Sequence, residues 1–146
     1  MEDKVNESTF EVDLNHLEAH LIDKYDIYVS FHYNEPSGCC EEESVITINS
    51  RQTIENQLYT LLHEAGHYVL YQEFPYEAMF PSIIRQPFKK RFSKANAVSV
   101  MSNEVMAWEI GRQLANMLGI TVDPVKWNKM KNKSLYDYMR WGTGRL

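Results

Sequence analysis

Residues 63–67 read His63-Glu64-Ala65-Gly66-His67, a spacing whose chemistry depends on an α-helix. Residues i and i+4 lie on one helix face about one turn apart, so both imidazoles can reach a single metal ion. Glu64 points to the side of that face, close enough to touch a water on the metal without ligating the metal itself. A carboxylate placed there can act as general base. The plainer alternative is a helix that happens to carry two histidines and a glutamate, and the flanking residues argue against it.

Those flanks mark a helix over about 53–72. Ser50 or Thr53 can cap its start, and Ile54, Leu58, Leu61, Leu62, Ala65 and Val69 recur at helical spacing. At about 100° per residue they fall within roughly 100° of arc, one core-facing stripe. His63 and His67 lie on the opposite side. One face therefore anchors the helix while the other presents the ligands. Gly66 in mid-helix costs about 1 kcal/mol relative to Ala, which fits a place where something approaches the backbone closely.

A chain of 146 residues, 44% hydrophobic and 12% aromatic, is expected to fold as one globular domain over 1–146 with a core of its own. The polar N-terminus and the lack of any apolar run near the ~18 residues of a membrane span point to a soluble, cytoplasmic protein with no membrane partner. Cys39 and Cys40 are adjacent, after Pro36-Ser37-Gly38, and lack the C-x-x-C spacing of a metal or redox pair. They are expected as reduced surface thiols in a turn. Charge is uneven: residues 1–73 carry a net of −12 and residues 74–146 a net of +7, together the −5 of the whole chain. A basic half can serve a nucleic acid or an acidic protein partner. Without an arginine-rich helix or a nucleic-acid motif, attraction between the two halves across a cleft is preferred.

The order of elements is α+β. Residues 12–24 have helical periodicity, and Tyr25–Tyr33 and Ser44–Asn49 alternate like strands around an acidic, turn-rich segment, Asn34–Glu43. After the metal helix, residues 74–96 carry Pro75, Pro81, Pro87 and the basic run Lys89-Lys90-Arg91, and read as a loop or lid. A long helix follows from about Ala97 to Leu118. Asp123-Pro124 opens a short helix, and Leu135–Trp141 suggests a last one.

A catalytic zinc site usually has three protein ligands, and no histidine follows His67. Glu73 lies too far round the helix, about 240° from His67. Glu104 and Glu109 are better placed, although at about 140° apart both cannot easily reach one ion. Glu109 shares its side with Ser102, Gln113 and Asn116. Glu104 shares its side with Met101, Trp108, Gly111 and Ala115, where small residues let two helices approach, so Glu104 is the preferred third ligand. His16 and His20 repeat the i,i+4 spacing, but Glu18 falls about 200° from His16 and cannot supply a base.

With these residues in view, the chain resembles the gluzincins, HExxH peptidases whose third ligand is a glutamate on a following helix. Asn103-Glu104-Val-Met-Ala-Trp is similar to their ligand helix, with Glu104 at the ligand position. The strand–strand–helix order and Leu61-Leu62-His-Glu-Ala-Gly-His-Tyr-Val-Leu70 look most like the small ImmA/IrrE-type metallopeptidases of bacteria and phages. Two departures stand out: Glu104 lies 37 positions after His67, and Trp108 stands where thermolysin-like members keep an Asp that supports the metal ligands.

The resemblance implies a small zincin-like domain, with a short sheet packed on the HExxH helix and a helical part after it. It implies one zinc ion per chain on His63, His67 and Glu104, and hydrolysis of peptide bonds in a protein or peptide substrate, a regulatory protein among the options. Glu64 would take the proton of the attacking water. His32, Tyr136, Tyr138 and Arg140 are candidates for contacting substrate or the oxyanion. Strand Ser44–Asn49 is the expected edge for an added peptide strand. Two other classes stand against this reading: an inactive metal-binding interaction module, which would not need Glu64, and a nucleic-acid-binding protein with structural zinc, which would want more Cys ligands.

Overall fold

The computed structural model describes residues 7–73 and 94–143. Among them the chain forms α1 (Glu7–Tyr25), β1 (Tyr28–His32), β2 (Gly38–Cys40), β3 (Val45–Asn49), α2 (Ile54–Glu73), α3 (Lys94–Leu118) and α4 (Pro124–Thr143). The class is α+β, mostly helical, as its element order implies. No described helix is long and apolar enough to cross a membrane. The loop or lid expected over 74–96 lies outside the described residues as far as residue 93, and with it the Lys89-Lys90-Arg91 run; residues 94–96 open α3.

The helix α1 buries Leu14, Leu17 and Leu21, a stripe at spacings of three and four. It ends where Asp26 takes the left-handed region at φ 55°, a conformation Asp tolerates better than most side chains. The turn delivers Ile27, fully buried, into β1. The end of α3 is closed differently. Gly119 sits at φ 70°, its N–H donates to the Asn116 carbonyl, and the Ile120 N–H reaches the Ala115 carbonyl at 2.9 Å. That bond pattern closes a helix around a left-handed residue, which Gly adopts without steric cost.

The sheet has the order β1-β3-β2. β3 is the centre, parallel to β1 from Tyr28↔Val45 to His32↔Asn49, and antiparallel to β2 from Gly38↔Thr47 to Cys40↔Val45. Its alternation buries Ile46 and Ile48. This corrects the expectation of a peptide-accepting edge at Ser44–Asn49: both sides of β3 are already paired, and the edges are β1 and β2. It also corrects the turn expected at Cys39-Cys40, which form a short strand, with Cys39 half-buried against the core and both cysteines free. The two helices expected after Asp123 are one, because Lys126–Ser134 contains no Gly or Pro to break it.

The central helix, α2, packs on α1, β2 and β3 and most extensively on α3. Thr53 caps it, its Oγ1 accepting the Asn56 N–H at 3.2 Å. Asp123 caps α4, accepting the N–H groups of Val125 and Lys126 at 2.9 and 3.3 Å, with Pro124 in the first helical turn where no N–H is needed. A chain of partly buried contacts ties that cap to α2. The Asp123 N–H donates to the Tyr59 hydroxyl at 2.9 Å, and Lys126 Nζ meets Glu55 Oε1 at 2.7 Å. Trp127 meets the Tyr59 ring edge-on. These contacts fix the line along which α4 crosses α2.

Candidate metal centre

Small residues decide how close the two ligand-bearing helices come. A methyl placed on Gly66 would lie 2.0 Å from the Ala107 carbonyl oxygen, and one on Gly111 would lie 2.5 Å from the Leu62 oxygen. Backbone therefore touches backbone across the α2–α3 seam. A carboxylate one turn before Ala107 can span such a gap. Glu104 does so, almost fully buried. Its Oε1 lies 2.7 Å from His63 Nε2 and its Oε2 lies 3.0 Å from His67 Nε2.

The ligand-capable atoms of His63, His67 and Glu104 all lie within 4.8 Å of one another, a group that could hold a metal ion. The donor set, two imidazoles and one carboxylate, is that of a three-ligand site with an open position. One observation separates such a site from a simple buried ion pair. Although 2.7 Å from a carboxylate oxygen, His63 Nε2 is buried without a hydrogen bond of acceptable geometry. A buried polar nitrogen left so is costly, and a shared ion in front of it would satisfy it. The residues fit a metal.

The surrounding side chains hold the ligands in place. Trp108 stacks on the His63 ring, centroids 4.1 Å apart and 8° from parallel. Ser134 on α4 donates its hydroxyl to Glu104 Oε1 at 3.0 Å. Both act as orienting partners of the kind that tune metal ligands. Trp108 thus fills by stacking a place where a carboxylate was expected. Ser134 had no signal in the sequence, being 30 residues from Glu104 on another helix.

Charge and burial set the protonation states. Burial works to raise the Glu104 carboxyl, but the two imidazoles outweigh it and hold the group well below the usual carboxylate range. Burial works to lower His67, and the Glu104 hydrogen bond together with the Glu64 charge turn the balance upward. Glu64 is pushed up, chiefly by burial, although His63 and His67 pull it back. Its Oε1 lies 3.7 Å from His63 Nδ1, so it stands beside the ligand group and not within it.

A cleft of about 920 Å³ opens on His63 and Trp108 between the first half of α2, the Pro36-Ser37 turn and α4. Of the four residues expected to contact substrate or oxyanion, it brings in Tyr138 alone. The Tyr138 phenol is pushed up to about 12, first by removal from water and then by the charges of Glu104 and Glu64. It stays a neutral donor at physiological pH. The other three lie outside this cleft. His32 is exposed on β1, separated from β2 by the width of β3 and engaged with Ser30. Tyr136 is exposed on α4 with the Arg140 guanidinium 6.0 Å from its ring, and neither lines the cleft. Glu109 is exposed, 4.0 Å from Lys131 Nζ, which leaves it outside the ligand group. Among the described residues, His16 and His20 belong to no metal-capable group either.

Compared with protein-family models, with curated proteins and with solved structures, the chain has no significant match.

Proposed function

We propose that this chain is a zinc-dependent peptidase of the zincin type, with His63, His67 and Glu104 as metal ligands and Glu64 as general base. The observation that carries the reading is the convergence of three ligand-capable side chains from two helices, one of them offering a buried imidazole nitrogen that lies against the carboxylate without a well-aligned hydrogen bond, with Glu64 beside them. Zinc held there would supply Lewis acidity toward a peptide carbonyl and lower the pKa of water. A structural role for the ion is less well supported, since the group has three ligands, no cysteine and a cleft beside it.

The chain's own residues have separable tasks. Glu64, raised by burial, accepts a proton from the attacking water near neutral pH and can return it to the leaving amine. The neutral phenol of Tyr138 donates to the oxygen that becomes negative as the carbonyl is attacked. Ser134 and Trp108 keep Glu104 and His63 from turning away. β2 is the strand edge next to α2, and Cys39 senses the Glu64 charge. An extended peptide adding to β2 would lie across the face of Glu64.

The test is Glu64→Gln. The amide cannot take the proton, so the variant should retain stoichiometric zinc and its melting temperature while losing hydrolysis of a denatured-protein substrate. Undiminished turnover would refute the mechanism, and a purified native protein that takes up no zinc would refute the reading as a whole.

A further inference from the structure

The cleft beside His63 has two unlike walls. From Gln52, just before α2, through Asn56 and Thr60 on it, a row of uncharged polar groups leads to the metal ligands. Along α4, Lys126, Lys129 and Lys133 repeat at spacings of three and four, and therefore share one face. Lys126 is neutralised by Glu55 at 2.7 Å. Lys129 and Lys133 are exposed and have no acidic partner among the described residues. Asp137, one turn past Lys133, puts the opposite charge at the metal end of the row. In a chain whose net charge is −5, a one-sided pair of free lysines facing a reaction cleft is a directional charge.

We infer that the cleft selects peptides with acidic side chains on the stretch that lies along Lys129 and Lys133. The inference rests on the peptidase reading for the term substrate, but the recognition it describes does not require cleavage. Its register follows from helix geometry. Ser134 touches the ligand Glu104, so the metal lies level with that turn of α4. Lys129 is five positions earlier, about 7.5 Å along the axis, the length of roughly two extended residues. Lys133 is one position earlier, about 1.5 Å, so an Asp or Glu at the first or second position from the scissile bond meets the lysine pair. Each exposed ion pair is worth up to about fivefold in binding, so two give about tenfold after screening.

The experiment compares two fluorescent peptide pools that share a central sequence, one with Asp and one with Lys fixed at the first and second positions from the centre. Binding is read by anisotropy on the zinc-loaded Glu64→Gln protein. The Asp pool should bind about tenfold more tightly, and the difference should shrink as salt rises from about 0.05 M to about 0.5 M. In a Lys129→Glu/Lys133→Glu background the preference should reverse. Lys129→Gln/Lys133→Gln, the milder variant, should flatten it. Equal binding of the two pools, or a preference that survives either double variant, overturns the inference. So does a single-stranded oligonucleotide that binds more tightly than the Asp pool and loses that affinity in the charge-reversed protein. Turnover of both pools by the native protein is measured alongside. Charge-selective binding without cleavage sinks the peptidase reading and leaves this inference standing; cleavage without charge preference does the reverse.

Discussion

Substituting Gly66 by Ala sets two well-measured effects against each other, and their signs differ. In an isolated helix the change stabilises by about 1 kcal/mol. Here the added carbon would stand 2.0 Å from the Ala107 oxygen, 2.9 Å from its carbon and 3.1 Å from the Gly111 nitrogen. All three are backbone atoms, so no side chain can swing aside. A carbon–oxygen contact needs about 3.3 Å, and α3 must therefore retreat by about 1.3 Å. Overpacking of this kind costs about 1–3 kcal/mol, and a gap of that size forfeits much of the dispersion energy of the facing atoms. With the upper end of that range less the helix gain, the net loss is about 2 kcal/mol, or about 6–8 °C in melting temperature for a chain of this length. Glu104 retreats with the helix, and a metal site tolerates about 0.2 Å. Zinc affinity should fall at least tenfold. Urea unfolding of the metal-free protein and a chelator competition measure the two losses. Gly111→Ala, with its 2.5 Å contact, should do less, and Gly38→Ala, which meets nothing within 4 Å, almost nothing. A Gly66→Ala protein more stable by about 1 kcal/mol, with unchanged zinc affinity, would refute the close-packed seam.

Glu104→Ala should lower zinc affinity far more than Glu109→Ala, because one faces the two imidazoles and the other faces water; equal affinities in the same competition would refute the ligand assignment. Ser134→Ala removes the hydrogen bond that orients Glu104 and should weaken zinc binding by about tenfold or more, with thermal stability of the metal-free protein nearly unchanged. The metal-free protein should be most stable between about pH 4.5 and 6.5, the ordinary values of Glu and His. Glu104 is held low, so its contribution is present above the unfolded value and lost as pH falls through its folded one. His67 is held high, so its contribution is present below the unfolded value and lost as pH rises; Glu64 is also held high, so its contribution fades already as pH rises above its ordinary 4.5, which draws the optimum to the acid side of that window. Zinc affinity should run the other way and increase with pH, because binding expels the imidazole proton; melting curves with and without metal across pH 4–9 check both slopes.

Local pattern by itself determined the helix that carries His63 and His67 and narrowed its cap to Ser50 or Thr53, since i,i+4 spacing and a stripe of apolar side chains are properties of one helix; the structure chose Thr53. It also favoured Glu104 over Glu109 as the glutamate that joins the two histidines, and the structure brings Glu104 to them. Trp108, Gly111 and Ala115 mark the face of α3 that packs inward, and Glu104 belongs to that face. What lay beyond reach were relations between elements far apart in the chain. A three-residue strand such as Gly38–Cys40 carries too little pattern to reveal itself, yet its pairing turned β3 from an edge into the centre of the sheet. The choice of Tyr138 over Tyr136, and the hydrogen bond from Ser134, depend on how α4 is rotated about its axis. That rotation is set by the Asp123–Tyr59 bond, the Lys126–Glu55 pair and the seat of Trp127 against Tyr59. Helical periodicity says which residues share a face, but only the packed neighbours say where that face points.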